Sequence, residues 1–398
     1  MATLSLRDPV HGFIRADGLE SALISARPFQ RLRFIHQLGL SHLVFPGAEH
    51  SRFSHALGAM ELAGRVYDSL AAKSEGLLPS SARALERRAI RAAALLHDIG
   101  HAPYSHSAEG FFADGIDHEE MTRRLLTLPE VEQAFARHGE GLAPDDIVRL
   151  LRRGGSAREQ LLSQIISGEL DVDKMDYLLR DSLYCGVRYG NYDLDRLLDT
   201  MVPLRDPDNG SWGIGVEEGG VHALEALVMA RYYMFTQVYF NVTSKALELH
   251  LGEWMREQGR RWPAEPPAFL AEDDVTTLAE LRRSPSLHAR ALVDREHFDL
   301  AYQTREHLTV AEGHAFEALV RELSTRFDSG RLLVSRSSKD PHRFSESRVL
   351  VRRHDGSLEP MAEASHFIAH LKRIEQFRVY TLPSLTQEVA EAIQNGLG

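Results

Sequence analysis

The chain has 398 residues, 43% hydrophobic and 26% charged, with a formal net charge of -11 and a single cysteine, Cys185. That composition is globular, has no apolar stretch near the ~20 residues that span a bilayer, and argues against a general nucleic-acid coat. One cysteine makes neither an intrachain disulfide nor a thiolate cluster, so metal chemistry falls to His and carboxylates.

Residues 1–8 lack the basic-then-apolar pattern of a secretory signal, and a cytoplasmic protein is expected. Arg7-Asp8-Pro9-Val10-His11-Gly12 is a turn signal. Apolar residues then repeat at helical spacing over 29–38 and stop at Gly39, and Leu43-Val44-Phe45-Pro46-Gly47 reads as a short extended run. A helix is predicted from Arg52 towards Leu70, with Ser51 or Ser54 as its cap. A second covers 81–98, with Leu85, Ile90, Ala94 and His97 near one stripe, ended by Gly100 and Pro103. Helices follow over His118–Leu126 and Glu159–Ile166. Asp171 caps another over Val172–Leu183, on which Asp173, Tyr177, Arg180 and Asp181 share a face.

A polar loop over 205–211 precedes a long helix from about Val221 to Gln258. Trp262-Pro263-Ala264-Glu265-Pro266-Pro267 reads as a linker. Beyond it, strand-like runs at 331–335, 348–352 and 377–381 alternate with helical patterns. The fold expected is mainly α with an α+β C-terminal region: a helical unit over 1–259 with its core at about 50–182, a linker at 260–270, and a C-terminal lobe over 271–398.

Among chemical motifs, there is no Walker A loop, Gly213-Ile214-Gly215 lacks the third Gly of a dinucleotide fingerprint, and His118-Glu119-Glu120-Met121-Thr122 lacks the second His of a zincin. Asp176 stands where a calcium loop beginning at Asp171 needs Gly. What remains is His55, the His97-Asp98 doublet and Asp173 on three separate helices, donors suited to a divalent ion of the Mn, Fe or Zn type. Taken singly, a His is more often structural or at the surface, and Asp171, Asp173 and Asp176 are more often a cap and a solvated face. Spacing leaves both readings open.

His55, His97-Asp98 and Asp173 resemble the H...HD...D signature of the HD-domain metal-dependent phosphohydrolases. The segments 29–33, 37–39, 44–48, 52–58, 97–106 and 171–181 are similar, in order, to the dNTP triphosphohydrolase branch of that family. The resemblance covers roughly residues 6–195 and implies a metal site of His55, His97, Asp98 and Asp173. It further implies His118 as general acid or base, oriented by Glu109 where relatives often have Asp, with His101 and His106 beside the metal and phosphates. Arg52 and Lys174 would contact phosphate oxygens. Gln37, followed by Leu38, and Asp181 would bind the sugar 3'-hydroxyl, and Tyr177 would exclude ribose.

The activity implied is cleavage of a dNTP at its α-phosphorus to a deoxynucleoside and inorganic triphosphate, with Mg on the substrate phosphates. Assembly would be a homo-oligomer, tetramer or dimer. Gln30 and Arg33 match residues that read a nucleotide effector in vertebrate members. Leu4 and Ser25 replace a Lys and an Asp there, and Phe235 and Val242 replace polar groups that contact phosphate or base. That puts guanine-triggered activation in doubt and shifts phosphate grip towards Arg231 or Tyr239. The rival readings are an HD enzyme acting on another nucleotide, and a non-catalytic nucleotide sensor or nucleic-acid-binding scaffold.

Overall fold

The computed structural model describes residues 4–74, 76–327, 329–342 and 349–397. The turn signal near Asp8 joins strands β1 (Leu4–Asp8) and β2 (Gly12–Ala16) in an antiparallel hairpin. Helix α1 (Arg52–Ala72) packs along α2 (Arg83–Leu96), where Ala92, Ala93 and Ala94 are fully buried. Three small residues in a row let the helices approach closely without a void. Ser51 occupies the cap position of α1 but its hydroxyl makes no capping bond. Leu85 is exposed, so the predicted α2 stripe begins only at Ile90.

Helix α3 (His118–Leu126) is capped by Asp117, α4 (Ala157–Ile166) by the Ser156–Glu159 capping box, and α5 (Val172–Tyr184) by Asp171, which accepts from Lys174 N at 2.8 Å. Each cap satisfies backbone donors that the first turn leaves open. Gly100 does not act as a helix stop. A Cβ there would lie 2.2 Å from His118 O and 2.4 Å from Thr122 N, so its missing side chain lets α3 close onto the His97-Asp98 loop.

Three local expectations are corrected. Residues 29–38 are a short helix, Arg27–Arg31, followed by a 3-10 turn, Leu32–Phe34. Residues 43–47 are not extended: Val44 N and Phe45 N both bond to Ser41 O, and Ala48 N bonds to Phe45 O, so local turns take the backbone groups that a strand would need. The long helix is broken into α6 (Val221–Met234) and α7 (Val242–Glu257) by a π turn, Phe235–Tyr239. Asn241 starts α7 by accepting from Thr243 N and Ser244 N at 3.0 and 3.2 Å.

The sheets are three in number among the described residues. Strands β3 (Met201–Arg205) and β4 (Trp212–Glu217) flank the predicted polar loop as a hairpin. The predicted runs at 331–335 and 377–381 fall in β6 (Leu332–Lys339) and β9 (Ile374–Thr381), which pair with β5 (Asp299–Gln303) in the order β5-β9-β6. The run at 348–352 holds β7 (Leu350–Arg352), which lies parallel to β4 and antiparallel to β8 (Leu358–Pro360). Its first residue, Arg348, lies outside the described residues. The chain is mainly α, with small sheets concentrated towards the C-terminus.

The Pro-rich segment expected as a linker is built into the main core. Trp262 and Phe269 are fully buried, Trp262 Nε1 donates to Ala108 O at 2.8 Å, and Pro266 opens a short helix, Pro266–Phe269. Proline tolerates that first helical position because its missing N–H is not needed there. Leu281, Ala289 and Leu292 join the same core as α1, whereas a separate cluster of Phe316, Leu319, Phe377, Val379 and Ile393 begins beyond β5. No helix of the described residues is long and apolar enough to cross a membrane.

One buried pair links α7 to the chain leading into β5. His250 Nδ1 lies 2.8 Å from His288 Nδ1, and His250 Nε2 accepts from Phe298 N at 3.1 Å. Burial, then the His288 and His297 rings, push the His250 imidazole from an ordinary 6.5 down to about 3. The folded chain therefore refuses a proton that the unfolded chain accepts. Stability is full above about pH 6.5 and falls as pH drops towards 3, by roughly 1.4 kcal/mol per pH unit. Thermal melts between pH 7.5 and 5 should show this loss, with a flatter profile for His250→Gln.

Candidate metal centre and cavity

Three helices bring the candidate donors together. His55 lies in the first turn of α1, His97 and Asp98 follow α2, and Asp173 opens α5. His55 Nε2 is 3.1 Å from Asp173 Oδ1 and 3.8 Å from Asp98 Oδ2, while His97 Nε2 is 3.3 Å from Asp98 Oδ1 and 3.8 Å from Asp173 Oδ1. His55, His97 and Asp98 offer ligand atoms that all lie within 4.8 Å of one another.

The opposite nitrogen of each ring is already engaged. His97 Nδ1 faces Ala94 O at 2.7 Å, and His55 Nδ1 faces Asp176 Oδ2 at 2.8 Å. A proton on Nδ1 leaves an Nε2 lone pair, and neither buried Nε2 makes a regular hydrogen bond among the described residues. Lone pairs and carboxylates that converge in this way repel unless a cation sits between them, so the donor set fits a divalent ion.

The electrostatics say the same thing in terms of protons. Burial disfavours a charged His55 ring, yet Asp173 and Asp176 outweigh it and raise the imidazole to about 10. His97 is raised as well, with Asp98 and Asp173 overcoming burial. Burial would raise Asp98, but His101, His97 and Arg52 hold it well below the carboxylate range. The carboxylates that raise both rings give the site a negative potential, which favours a positive charge there.

Three of the donors, His97, Asp98 and Asp173, line a cavity of about 930 Å³ whose wall also includes Gln37, Leu38, Arg52, His101, His118, Lys174, Tyr177 and Asp181. Glu109 stands behind this wall and pairs with His118 Nδ1. The His101 ring lies 4.3 Å from that of His118, and its Nδ1 is 3.2 Å from Asp98 Oδ1. Arg52 is buried, pairing with Asp98 and donating to Ser105 Oγ at 2.8 Å. Lys174 Nζ contacts Asp171 Oδ2 at 2.5 Å and Gly168 O at 2.7 Å. The side chain of His106 lies outside those described.

One expected feature differs. Arg180 does not share the cavity face with Asp173, Tyr177 and Asp181; it is fully buried and pairs with Asp8 and Asp176. Gln30 and Arg33, the residues that the resemblance offers to a nucleotide effector, are not part of this wall. Gln30 Nε2 donates to Ile24 O at 2.6 Å, and Arg33 donates to Gln30 Oε1 while covering the Phe53 ring at 3.6 Å.

Sequence reasoning missed two pairings of Asp181. His50 Nε2 lies 2.8 Å from Asp181 Oδ1, and Tyr239, on the π turn, donates to Asp181 Oδ2 at 2.8 Å. Asp176, read as helix face, is fully buried against His55. No local pattern marks His50, whose partner stands 131 residues away. Arg231, Lys245 and Lys339 add cations to the wall. Lys245 pairs with Glu248 at 2.7 Å, and Arg231 donates to Pro341 O at 3.0 Å.

This arrangement has relatives. The HD domain model matches residues 52–181, and the HD associated region model matches residues 192–398. The Bacillus subtilis protein YwfO, of uncharacterised function, is 39% identical over 67% of this chain and 59% of its own. The deoxynucleoside triphosphate triphosphohydrolase SAMHD1 of Danio rerio is 32% identical over 48% of this chain and 35% of its own. The chain thus spans little more than half of YwfO and about a third of that SAMHD1.

A solved structure of a hypothetical protein from Aquifex aeolicus superposes with a TM-score of 0.83 at 30% identity, covering 98% of this chain and all of that one. A phosphohydrolase from Bacteroides thetaiotaomicron does so with a TM-score of 0.75 at 26% identity, over 96% of this chain and all of that one. The donor set, the two adjoining family matches and the end-to-end likeness of fold agree: the chain belongs to the HD-domain family, in the form that carries the HD associated region.

Proposed function

We propose that the chain is a metal-dependent phosphohydrolase that cleaves dNTPs at the α-phosphorus to a deoxynucleoside and inorganic triphosphate. One observation carries the reading: His97, Asp98 and Asp173, with His55 beside Asp173, share the wall of a single cavity with His118, which Glu109 pairs, and with Gln37, Tyr177 and Asp181. Curated relatives that share about half this chain are named as dNTP triphosphohydrolases, which supports the same substrate class.

His55, His97, Asp98 and Asp173 would hold a divalent ion of the Mn, Fe or Zn type, which would supply positive charge to a phosphoryl oxygen and to the attacking water. Lys174, Arg52 and Arg231 flank the polyphosphate, and substitution at phosphorus is accelerated mainly by such positioning and charge neutralisation. His118 gives a proton to the departing 5'-oxygen. Its ring suits that task because Glu109 and Asp98, against the effect of burial, raise it above its ordinary value and so favour the protonated form.

On the sugar side, Gln37 Oε1 is buried with no hydrogen-bond partner among the described residues. A 3'-hydroxyl satisfies it. Tyr177 belongs to the same cavity wall, T-shaped to Tyr239 at 6.2 Å, where a 2'-hydroxyl is crowded and left unpaired. Such a penalty is roughly 1 to 3 kcal/mol, about 5-fold to 150-fold in selectivity. Both Asp181 oxygens already accept from His50 and Tyr239, and this favours, as second reading, an HD phosphohydrolase acting on another nucleotide. Effector contact by Gln30 and Arg33, and a homo-oligomeric state, belong to the same proposal.

The test is incubation of the protein with Mn and each dNTP or rNTP, followed by ion-exchange separation of the products. Inorganic triphosphate and deoxynucleoside are expected. Release of monophosphate or diphosphate would move the cleavage site, and no turnover of any nucleotide would favour a sensor. Tyr177→Ala should narrow the dNTP-to-rNTP ratio within the range above; an unchanged ratio would remove Tyr177 from the discrimination.

A further inference from the structure

We infer that Asp176 is a positioning residue for His55, and that the turn of the N-terminal hairpin, through His11 and Asp8, holds Asp176 in that task. The inference rests on the reading of His55 as a metal ligand.

The His55 ring is held between two carboxylates one turn apart on α5: Asp173 at its Nε2 edge and Asp176 at its Nδ1 edge, 3.1 and 2.8 Å away. Asp176 is fully buried, and every hydrogen bond that reaches it comes from a donor. Oδ1 accepts from His11 Nε2 at 2.6 Å and Arg180 Nη2 at 2.9 Å, and Oδ2 accepts from His55 Nδ1 and Arg180 Nε, each at 2.8 Å. An ionised carboxylate is an acceptor only, so its neighbour Nδ1 carries the hydrogen. The lone pair of His55 is thereby fixed on Nε2, aimed at His97, Asp98 and Asp173. Outer carboxylates commonly set a ligand imidazole in this way.

The hairpin completes the arrangement from far away in the sequence. Asp8 Oδ1 accepts from Val10 N and His11 N at 2.9 Å each, which shapes the turn. Arg180 joins the two acids, with Nη1 2.8 Å from Asp8 Oδ2. The His11 side chain is delivered onto Asp176 at 2% exposure. Gly58, three residues after His55, makes the room: a Cβ there would lie 1.9 Å from Asp176 Oδ1 and 2.4 Å from Arg180 Nη2. A single methyl group at 58 therefore displaces the carboxylate without altering any charge.

The experiment is Co(II) titration of the metal-free full chain, followed by visible absorption, with circular dichroism and melting temperature as folding controls. Wild type, Asp173→Ala, Asp176→Asn, Gly58→Ala and His11→Gln are compared. Asp176→Asn presents an amide that can donate to Nδ1 and release the tautomer. It and Gly58→Ala should bind Co(II) roughly 10- to 100-fold more weakly, with a changed absorption band, and His11→Gln should shift the same way by a smaller factor. Asp173→Ala should not bind. Wild-type affinity and spectrum in folded Asp176→Asn and Gly58→Ala, with Asp173→Ala unable to bind, overturn the positioning role and leave the ligand reading intact. Wild-type Co(II) affinity in Asp173→Ala overturns the ligand reading and this inference with it. Should Asp176→Asn not fold, Gly58→Ala and His11→Gln decide in the same sense.

Discussion

Asp173→Ala is expected to purify without bound metal and to lose turnover by at least roughly 100-fold, the upper end of what substitutions one layer further out cost. Asp173 approaches both Nε2 atoms, so its loss removes the carboxylate that joins α5 to the His55–His97 pair. The fold should survive. The Asp173 side chain is 37% exposed on the cavity wall, and its removal opens no void in the α1–α2 packing. Metal analysis by mass spectrometry beside phosphate release checks both halves. Full activity in a metal-free Asp173→Ala protein would remove Asp173 from the ligand set.

His118→Gln should lower kcat by roughly 10²- to 10⁴-fold while leaving metal content unchanged. The ring is held by Glu109 rather than by the donor cluster, so acid catalysis and metal binding separate in this variant. The sign of the pH effect follows from its environment. Burial disfavours the charged ring, but Glu109, then Asp98, raise it. A general acid works while protonated, so turnover falls as pH rises through that value. Glu109→Gln removes the carboxylate that keeps the proton, and the alkaline limb of the kcat profile moves to lower pH. A limb that stays in place would mean that Glu109 does not tune His118.

The sequence made the donor chemistry legible because most of it is local. Asp171 as a cap, the His97-Asp98 doublet at a helix end and the start of α3 at His118 each rest on a few adjacent residues, and the structure reproduces them. The breaks were less legible. Val221–Gln258 keeps a helical pattern throughout, and only the capping bonds of Asn241 and the Tyr239–Asp181 contact show why the chain stops and restarts. The Pro-rich segment at 262–267 has linker composition, yet the indole of Trp262 lies in the core.

The outer layer of the candidate site was hidden for the same reason. Asp176 looks on paper like its neighbours Asp171 and Asp173. His11 stands 165 residues from it, and His50 stands 131 residues from Asp181. No spacing rule reaches across such gaps.

The sequence by itself determined which helices carry the candidate donors, because helical period and capping act over one or two turns, and resemblance to a family grouped those donors as a metal set. Only the tertiary structure decided how the two acids of α5 divide their work, Asp173 beside the His55 nitrogen that faces the metal site and Asp176 behind the ring. Both project from the same side of one helix. What separates them is packing: the space left by Gly58 and the donors brought by Arg180 and by His11 of the distant hairpin fix one carboxylate as a support and leave the other open to the cavity.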